Sequence, residues 1–203
     1  SSFQLDTMYG FKAHIAILLN ITPDHLDRYD YNIGNYAQSK LRITQNMERT
    51  DFFIYNQEDA LIREHLAKVN TQATLVPFAL QPSGEVKASF TDNNIVTDIT
   101  GKPESIDVSA SPLIGKHNQY NTLAAVTAAL LAGAEAFRIE EGLATFKNAE
   151  HRLQPVGEAN GITYIKDSKA TNVEAVWYAL EGIKHSIIWI AGGVDKGNDY
   201  ETL

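Results

Sequence analysis

Three polar clusters carry the residue types from which chemistry can be built. They are "NITPDH" (20–25), "DSKATN" (167–172) and "GGVDKGND" (192–199), and each directly follows a short apolar run. In "DSKATN", Asp167 can accept a hydrogen bond from a sugar hydroxyl, and Lys169 is a positive point charge. Ser168 or Thr171 can cap the helix that follows, whose first free N–H groups favour an anion. A plain helix cap beside a solvated lysine fits the same spacing. In "GGVDKGND", glycines let the backbone come close to a ligand, and Lys196 can hold a carboxylate or a phosphate. A glycine-rich turn is the plainer alternative. His25 stands between Asp24 and Asp27. That arrangement is open to metal ligation, to work as a base, or to an ordinary surface histidine.

Single residues add to these clusters. Lys40 lies in "YAQSKLRI", among positions that read as core. A lysine partly withdrawn from water is more easily neutral, and a neutral amine can add carbon dioxide. The resulting carbamate is an anion able to help hold a cation. An exposed helix lysine is the competing reading. Asn118 and Asn121 are three apart and share one helix face. Their amides suit an adenine edge or a ribose hydroxyl, and Asn118 also suits a helix cap. Arg152, next to His151, can grip a phosphate or ribose, or form a surface pair.

These residues need elements to hold them. "HIAILLN" (14–20) reads as a buried strand, 35–47 as a helix, and 50–59 as a strand with a polar turn. A helix over 61–69 and a strand over 73–80 follow. Residues 81–112, polar and turn-rich with short alternating runs, read as antiparallel hairpins. "HNQYNTLAAVTAALLAG" (117–133) is helical and ends at a glycine; "RIEEGLATFKN" continues helical. "EHRLQPVGEANG" (150–161) reads as a domain junction. A strand over 162–166, a helix from 171 and a strand over 186–193 then make a βαβ unit, expected to be parallel and right-handed. The fold class is therefore α/β, in two units. In such sheets ligands sit beyond the carboxyl ends of strands, where all three clusters fall.

Composition narrows the function classes. The chain has 203 residues, a net charge of −8, 44% hydrophobic residues and no cysteine. The acidic balance argues against a dedicated nucleic-acid binder. Without cysteine there is no disulfide and no thiolate chemistry. The apolar runs are too short to cross a bilayer, and no signal peptide is visible, so a cytoplasmic protein with no membrane partner is expected; a monomer is expected as well. The chain opens without Met and stops just after a strand and turn, which reads as a piece of a longer protein. No GxxxxGK[ST] phosphate loop occurs, and no GxGxxG follows any expected strand, which counts against a dinucleotide site.

Taken together, "SSFQLD", "NITPDHLDRY", "KLRI", "GKHNQYNTLAA", "HR", "DSKATN" and "GGVDKG" resemble, in order and rough spacing, the Mur ligases. "DSKATN" after an apolar strand resembles the branch that adds D-glutamate. The resemblance covers nearly the whole chain. It implies that 1–152 is part of a P-loop-type central ATPase domain and 153–203 the start of a Rossmann-like C-terminal domain. It implies ATP and Mg²⁺ as cofactors, with UDP-N-acetylmuramoyl-L-alanine and D-glutamate as small-molecule substrates joined through an acyl phosphate. On that pattern His25 is a magnesium ligand and Lys40 the carbamylated lysine that helps place a second magnesium. Ser1 and Gln4 contact the muramoyl substrate. Asn118, Asn121, Arg152 and Asp167 contact the nucleotide. Lys169 and Thr171, with Ser168, and Lys196 hold the substrate and D-glutamate carboxylates. The family's phosphate loop and a metal-binding Glu fall ahead of Ser1, and Asp6 stands in the wrong place to replace that Glu. This segment alone is therefore expected to be inactive and to bind ATP weakly. A ligase for another amino acid, a folylpolyglutamate synthetase and a non-catalytic nucleotide-binding module remain the competing readings.

Overall fold

A computed structural model describes every residue except Thr100, Ile114, 194–199 and Thr202. The chain divides into two units: Ser1–Ala110 with Tyr120–Ala144, and Ser111–Gln119 with Thr145–Leu203.

The first unit is a six-stranded sheet in the order β1 (Ile15–Leu18), β2 (Phe52–Asn56), β3 (Thr74–Ala79), β4 (Ala88–Thr91), β5 (Asn94–Thr97) and β6 (Glu104–Asp107). β1 through β4 pair in parallel and β4 through β6 antiparallel, so the expected hairpins at 81–112 form and extend the parallel sheet. Alternation along β2 explains the layers. Phe53 and Tyr55 face one side, with Ala16 and Leu18 of β1. They pack with Tyr36, Ala37 and Leu41 of α2 (Ile33–Leu41) and Ile62 and Leu66 of α3 (Ala60–Leu66). Ile54 faces the other side with Val76 and Phe78. There Leu123, Ala124, Val126 and Leu130 of α4 (Lys116–Leu131) and Ile139 of α5 (Ala136–Ala144) cover it. Phe53, Ile54 and Phe78 are fully buried. Burying each such side chain contributes about 1.5–3 kcal/mol. α4 ends as expected: Gly133 adopts φ +85°, a left-handed conformation that glycine takes without a Cβ penalty.

The second unit corrects two expectations. Residues 154–159, read as linker, form β7 (Gln154–Ala159), which pairs antiparallel with β8 (Ile162–Lys166). Pro155 and Gly157 had suggested a junction, but both flank the register shift, where a ladder tolerates them. Asn160 and Gly161 turn the hairpin with φ of 51° and 75°, and an Asn-Gly pair between apolar runs is a strong hairpin signal. α6 (Val173–Gly182) follows as expected. The described part of 186–193 is not a strand, so no parallel βαβ unit forms among the described residues. A continuous apolar run suits a strand covered on both faces, yet Ile188 is 87% and Ile190 92% exposed. No described strand offers this run a ladder.

Candidate functional site

At the carboxyl end of β1, the "NITPDH" loop is tied down by a residue that the sequence reading did not single out. Asp59 accepts from the Ile62 N–H through Oδ1 (2.9 Å), capping α3, and from the Ile21 N–H through Oδ2 (2.9 Å). One carboxylate thus fixes the loop after β1 to the loop after β2. His25 follows with φ 51°, a left-handed backbone, and is exposed. Its Nε2 lies 3.6 Å from Asp24 Oδ2, and its ring packs 5.1 Å from Phe3 of α1 (Ser2–Asp6). The Arg28 guanidinium covers the same Phe3 ring at 4.5 Å. Ser1 and Gln4 are exposed on α1, where the Ser1 nitrogen donates to Gln4 Oε1 (3.2 Å).

α1 is held against α2 by polar contacts. Asp6 accepts from Ser39 Oγ (2.5 Å) and from the Tyr29 hydroxyl (2.8 Å). Burial pushes the Asp6 carboxyl up. The Ser39 and Tyr29 hydroxyls and the Arg28 and Arg42 charges outweigh that and leave it below its ordinary value. Asp6 is thus occupied in joining helices. Arg42 donates to the Leu5 and Met8 carbonyls (2.8 and 2.9 Å), meeting acceptors at the end of α1. Lys40, beside Ser39, is half-buried with Nζ 4.7 Å over the Tyr36 ring.

These residues do not amount to a complete cation site. Asp24 and His25 come together, but no cluster of three His, Asp or Glu side chains able to hold a metal occurs among the described residues.

The second unit holds Asn118, Arg152, Asp167, Ser168, Lys169 and Thr171. His117, in the first turn of α4, packs 5.5 Å from the Tyr178 ring of α6. Burial holds its ring below the ordinary imidazole range; the Asp167 and Glu181 carboxylates pull it up, and the Arg152 charge adds to the depression. Asp167, at the end of β8, and Arg152 are therefore both within electrostatic reach of the residue preceding Asn118. The "DSKATN" turn is pinned as the Lys169 N–H donates to the His151 carbonyl (3.2 Å) and the Ala170 N–H to the Asp167 carbonyl (3.3 Å). Ser168, Lys169 and Thr171 are exposed, and Asp167 is half-buried. A cavity of about 300 Å³ is lined by Lys147, Asn148, Glu150, Arg152 and Gln154 among others.

Two capping expectations are corrected. Asn172, not Ser168 or Thr171, caps α6, with Oδ1 accepting from the Ala175 N–H (2.8 Å); the helix begins at Val173, which puts position 172, with extended backbone, at its cap. α4 starts at Lys116, which places Asn118 inside the first turn, not at its cap. Asn121 lies on the same helix and is exposed. Lys196 lies outside the described residues.

The fold is a mixed α/β domain with a mostly parallel sheet. The Mur ligase middle domain matches residues 1–129, and the chain belongs to the Mur ligase family. Over its whole length it is 46% identical to the UDP-N-acetylmuramoylalanine–D-glutamate ligase of Christiangramia forsetii, covering 46% of that protein. It is 47% identical, over all of the chain and 46% of the relative, to the ligase of the same name from Bacteroides thetaiotaomicron. The chain thus spans about half the length of these relatives. Among solved structures, MurF from Acinetobacter baumannii aligns at TM-score 0.63 and 22% identity, over 83% of this chain and 36% of that one. The UDP-N-acetylmuramate–alanine ligase MurC from Thermotoga maritima aligns at TM-score 0.62 and 18% identity, over 90% and 40%. These structures share the fold.

Proposed function

We propose that the full-length protein is a cytoplasmic, ATP-dependent ligase that joins D-glutamate to UDP-N-acetylmuramoyl-L-alanine in peptidoglycan synthesis. The observation that carries this reading is whole-chain similarity to D-glutamate ligases, with "DSKATN" seated on the turn between β8 and α6. Residues 1–152 belong to the central domain and 153–203 open the C-terminal one.

Bound ATP would supply the phosphoryl group that activates the substrate carboxylate. The chain's own residues bind and orient. Asp167 accepts from a ribose hydroxyl, Arg152 offsets phosphate charge, and Asn118 and Asn121 present amides to the nucleotide. Lys169 and Thr171, exposed on the turn with Ser168, receive a substrate carboxylate, and Lys196 serves the same end. Ser1 and Gln4 meet the muramoyl substrate. His25, and Lys40 as a carbamate, would hold Mg²⁺ with ligands from outside this chain.

Phosphate release from ATP by the full-length protein, with UDP-N-acetylmuramoyl-L-alanine and Mg²⁺, tests this. Release that needs D-glutamate, ignores L-glutamate, L-lysine and meso-diaminopimelate, and disappears in Lys169→Ala is expected. Release with another amino acid would move the protein to a sister ligase, and none with any of them would leave a nucleotide-binding module. The 203-residue chain by itself is expected to turn over nothing.

A further inference from the structure

Three segments of the first unit carry the residues proposed to meet the muramoyl substrate and magnesium. They are α1 with its cap Ser1 and with Gln4, the loop after β1 with His25, and α2 with Lys40. One carboxylate bonds to all of this. Asp6, the last residue of α1, accepts through Oδ1 from Ser39 Oγ (2.5 Å), and Ser39 directly precedes Lys40 on α2. Through Oδ2 it accepts from the Tyr29 hydroxyl (2.8 Å), at the end of the helical turn Leu26–Tyr29 that His25 opens. Ser39 and Tyr29 are both buried, and their hydroxyls lie 3.4 Å apart. The Ser39 hydroxyl is also 3.2 Å from the Ser2 carbonyl, a further link to α1.

α1 has five residues, too few to hold a helical shape alone, so its place is set by what it rests on. Phe3, three residues before Asp6 and on the same face, packs against the His25 ring and under the Arg28 guanidinium. Arg42 fixes the end of α1 through the Leu5 and Met8 carbonyls. We propose that Asp6 is a positioning residue of the candidate active site: through Ser39 and Tyr29 it sets the place of α1, and with it Ser1 and Gln4, relative to His25 and Lys40. An aspartate suits the task because two acceptor oxygens meet two hydroxyl donors on different segments. Alanine offers no acceptor there, and asparagine, with one oxygen and an NH₂ donor, replaces it only in part. Asp6 itself touches no ligand. The consequence for the substrate rests on the proposed ligase reading, whereas the anchoring of α1 does not.

Two measurements on the full-length protein separate these. Without ligands, backbone amides over 2–8 should exchange about fivefold faster in Asp6→Ala, the size of one net hydrogen bond, while those of β2 keep their parent rates. In turnover, Asp6→Ala should raise KM for UDP-N-acetylmuramoyl-L-alanine by about tenfold, the scale of a lost bond to a charged group, and move KM for ATP by less than about twofold. Ser39→Ala and Tyr29→Phe, each removing one donor, should raise the same KM by about threefold, and neither should add fully to Asp6→Ala. A loss of folded protein alone would lower the rate and change neither KM. Where Asp6→Ala melts far below the parent, Asp6→Asn takes its place, with the same KM rising by less. Parent-like exchange in the variant overturns the anchor, whatever the activity of the protein. Faster exchange with both KM values unchanged overturns the positioning role. A parent that releases no phosphate with this substrate overturns the ligase reading, and exchange still decides the anchor.

Discussion

The sheet of β1 to β6 and the hairpin of β7 and β8 use similar apolar residues and end in opposite states. Helices cover the first on both faces, and Phe53, Ile54 and Phe78 are fully buried. The second exposes Val156, Ile162, Tyr164 and Ile165, and beyond it the 187–190 run. Yet most residues proposed to meet nucleotide and amino acid lie in the second unit. The first unit carries the stability, and the second presents polar groups on backbone held by a few caps and turns. The groups proposed to meet ligands are thus mostly exposed, as such residues must be.

The contrast breaks most visibly in the core. Phe53→Ala and Phe78→Ala should each cost about 3–5 kcal/mol in denaturant unfolding, whereas Ile188→Ser should stay within about 0.5 kcal/mol. Equal losses at both places would erase the distinction. Next in size is Asp59→Ala. It removes both the α3 cap and the Ile21 bond, and should cost about 1–2 kcal/mol, with faster amide exchange over 20–25. Asn172→Ala should cost about 1 kcal/mol, read as loss of α6 helicity without change in the first unit.

The amino end of the parallel sheet gives a pH test. Asp51 accepts from the Glu48 N–H (2.8 Å), pairs with His14 Nδ1 (3.0 Å) and lies 3.4 Å from Lys12 Nζ. The Glu48 N–H leads, with His14 and Lys12, in holding its carboxyl below the ordinary value of 3.8, and Asp6 is lowered as well. A carboxylate depressed in the folded state stabilises fully above its unfolded value and loses that contribution as pH falls through the folded one. Stability of the first unit should therefore decline below about pH 4. Asp51→Asn and Asp6→Asn should each flatten that decline, the smallest of these effects. An acid limb unchanged in both would assign it to other groups.

Legibility followed the same division. Strands β1 to β3 announced themselves because a sheet buried on both faces leaves continuous apolar runs, and α4 because alanine and leucine end at Gly133. β7 was hidden by Pro155 and Gly157, which mark a bulge as readily as a linker. The 186–193 run was misread because apolar sequence reports a need for burial and not a partner. Candidate residues were legible by type, since an Asp, a Lys and a Thr on one turn are uncommon packing choices. Asp59 and Asp6 were not, because a carboxylate that ties loops or helices together shows itself only when distant segments meet.

The most direct test of the central claim is ATP affinity in the full-length protein, measured by calorimetric titration for the parent, Asp167→Ala and the distant Asp51→Asn. The account predicts at least about tenfold weaker binding in Asp167→Ala, the scale of a lost bond to a charged group, and parent-like affinity in Asp51→Asn. Unchanged affinity in a folded Asp167→Ala protein would contradict it and remove the nucleotide from the second unit.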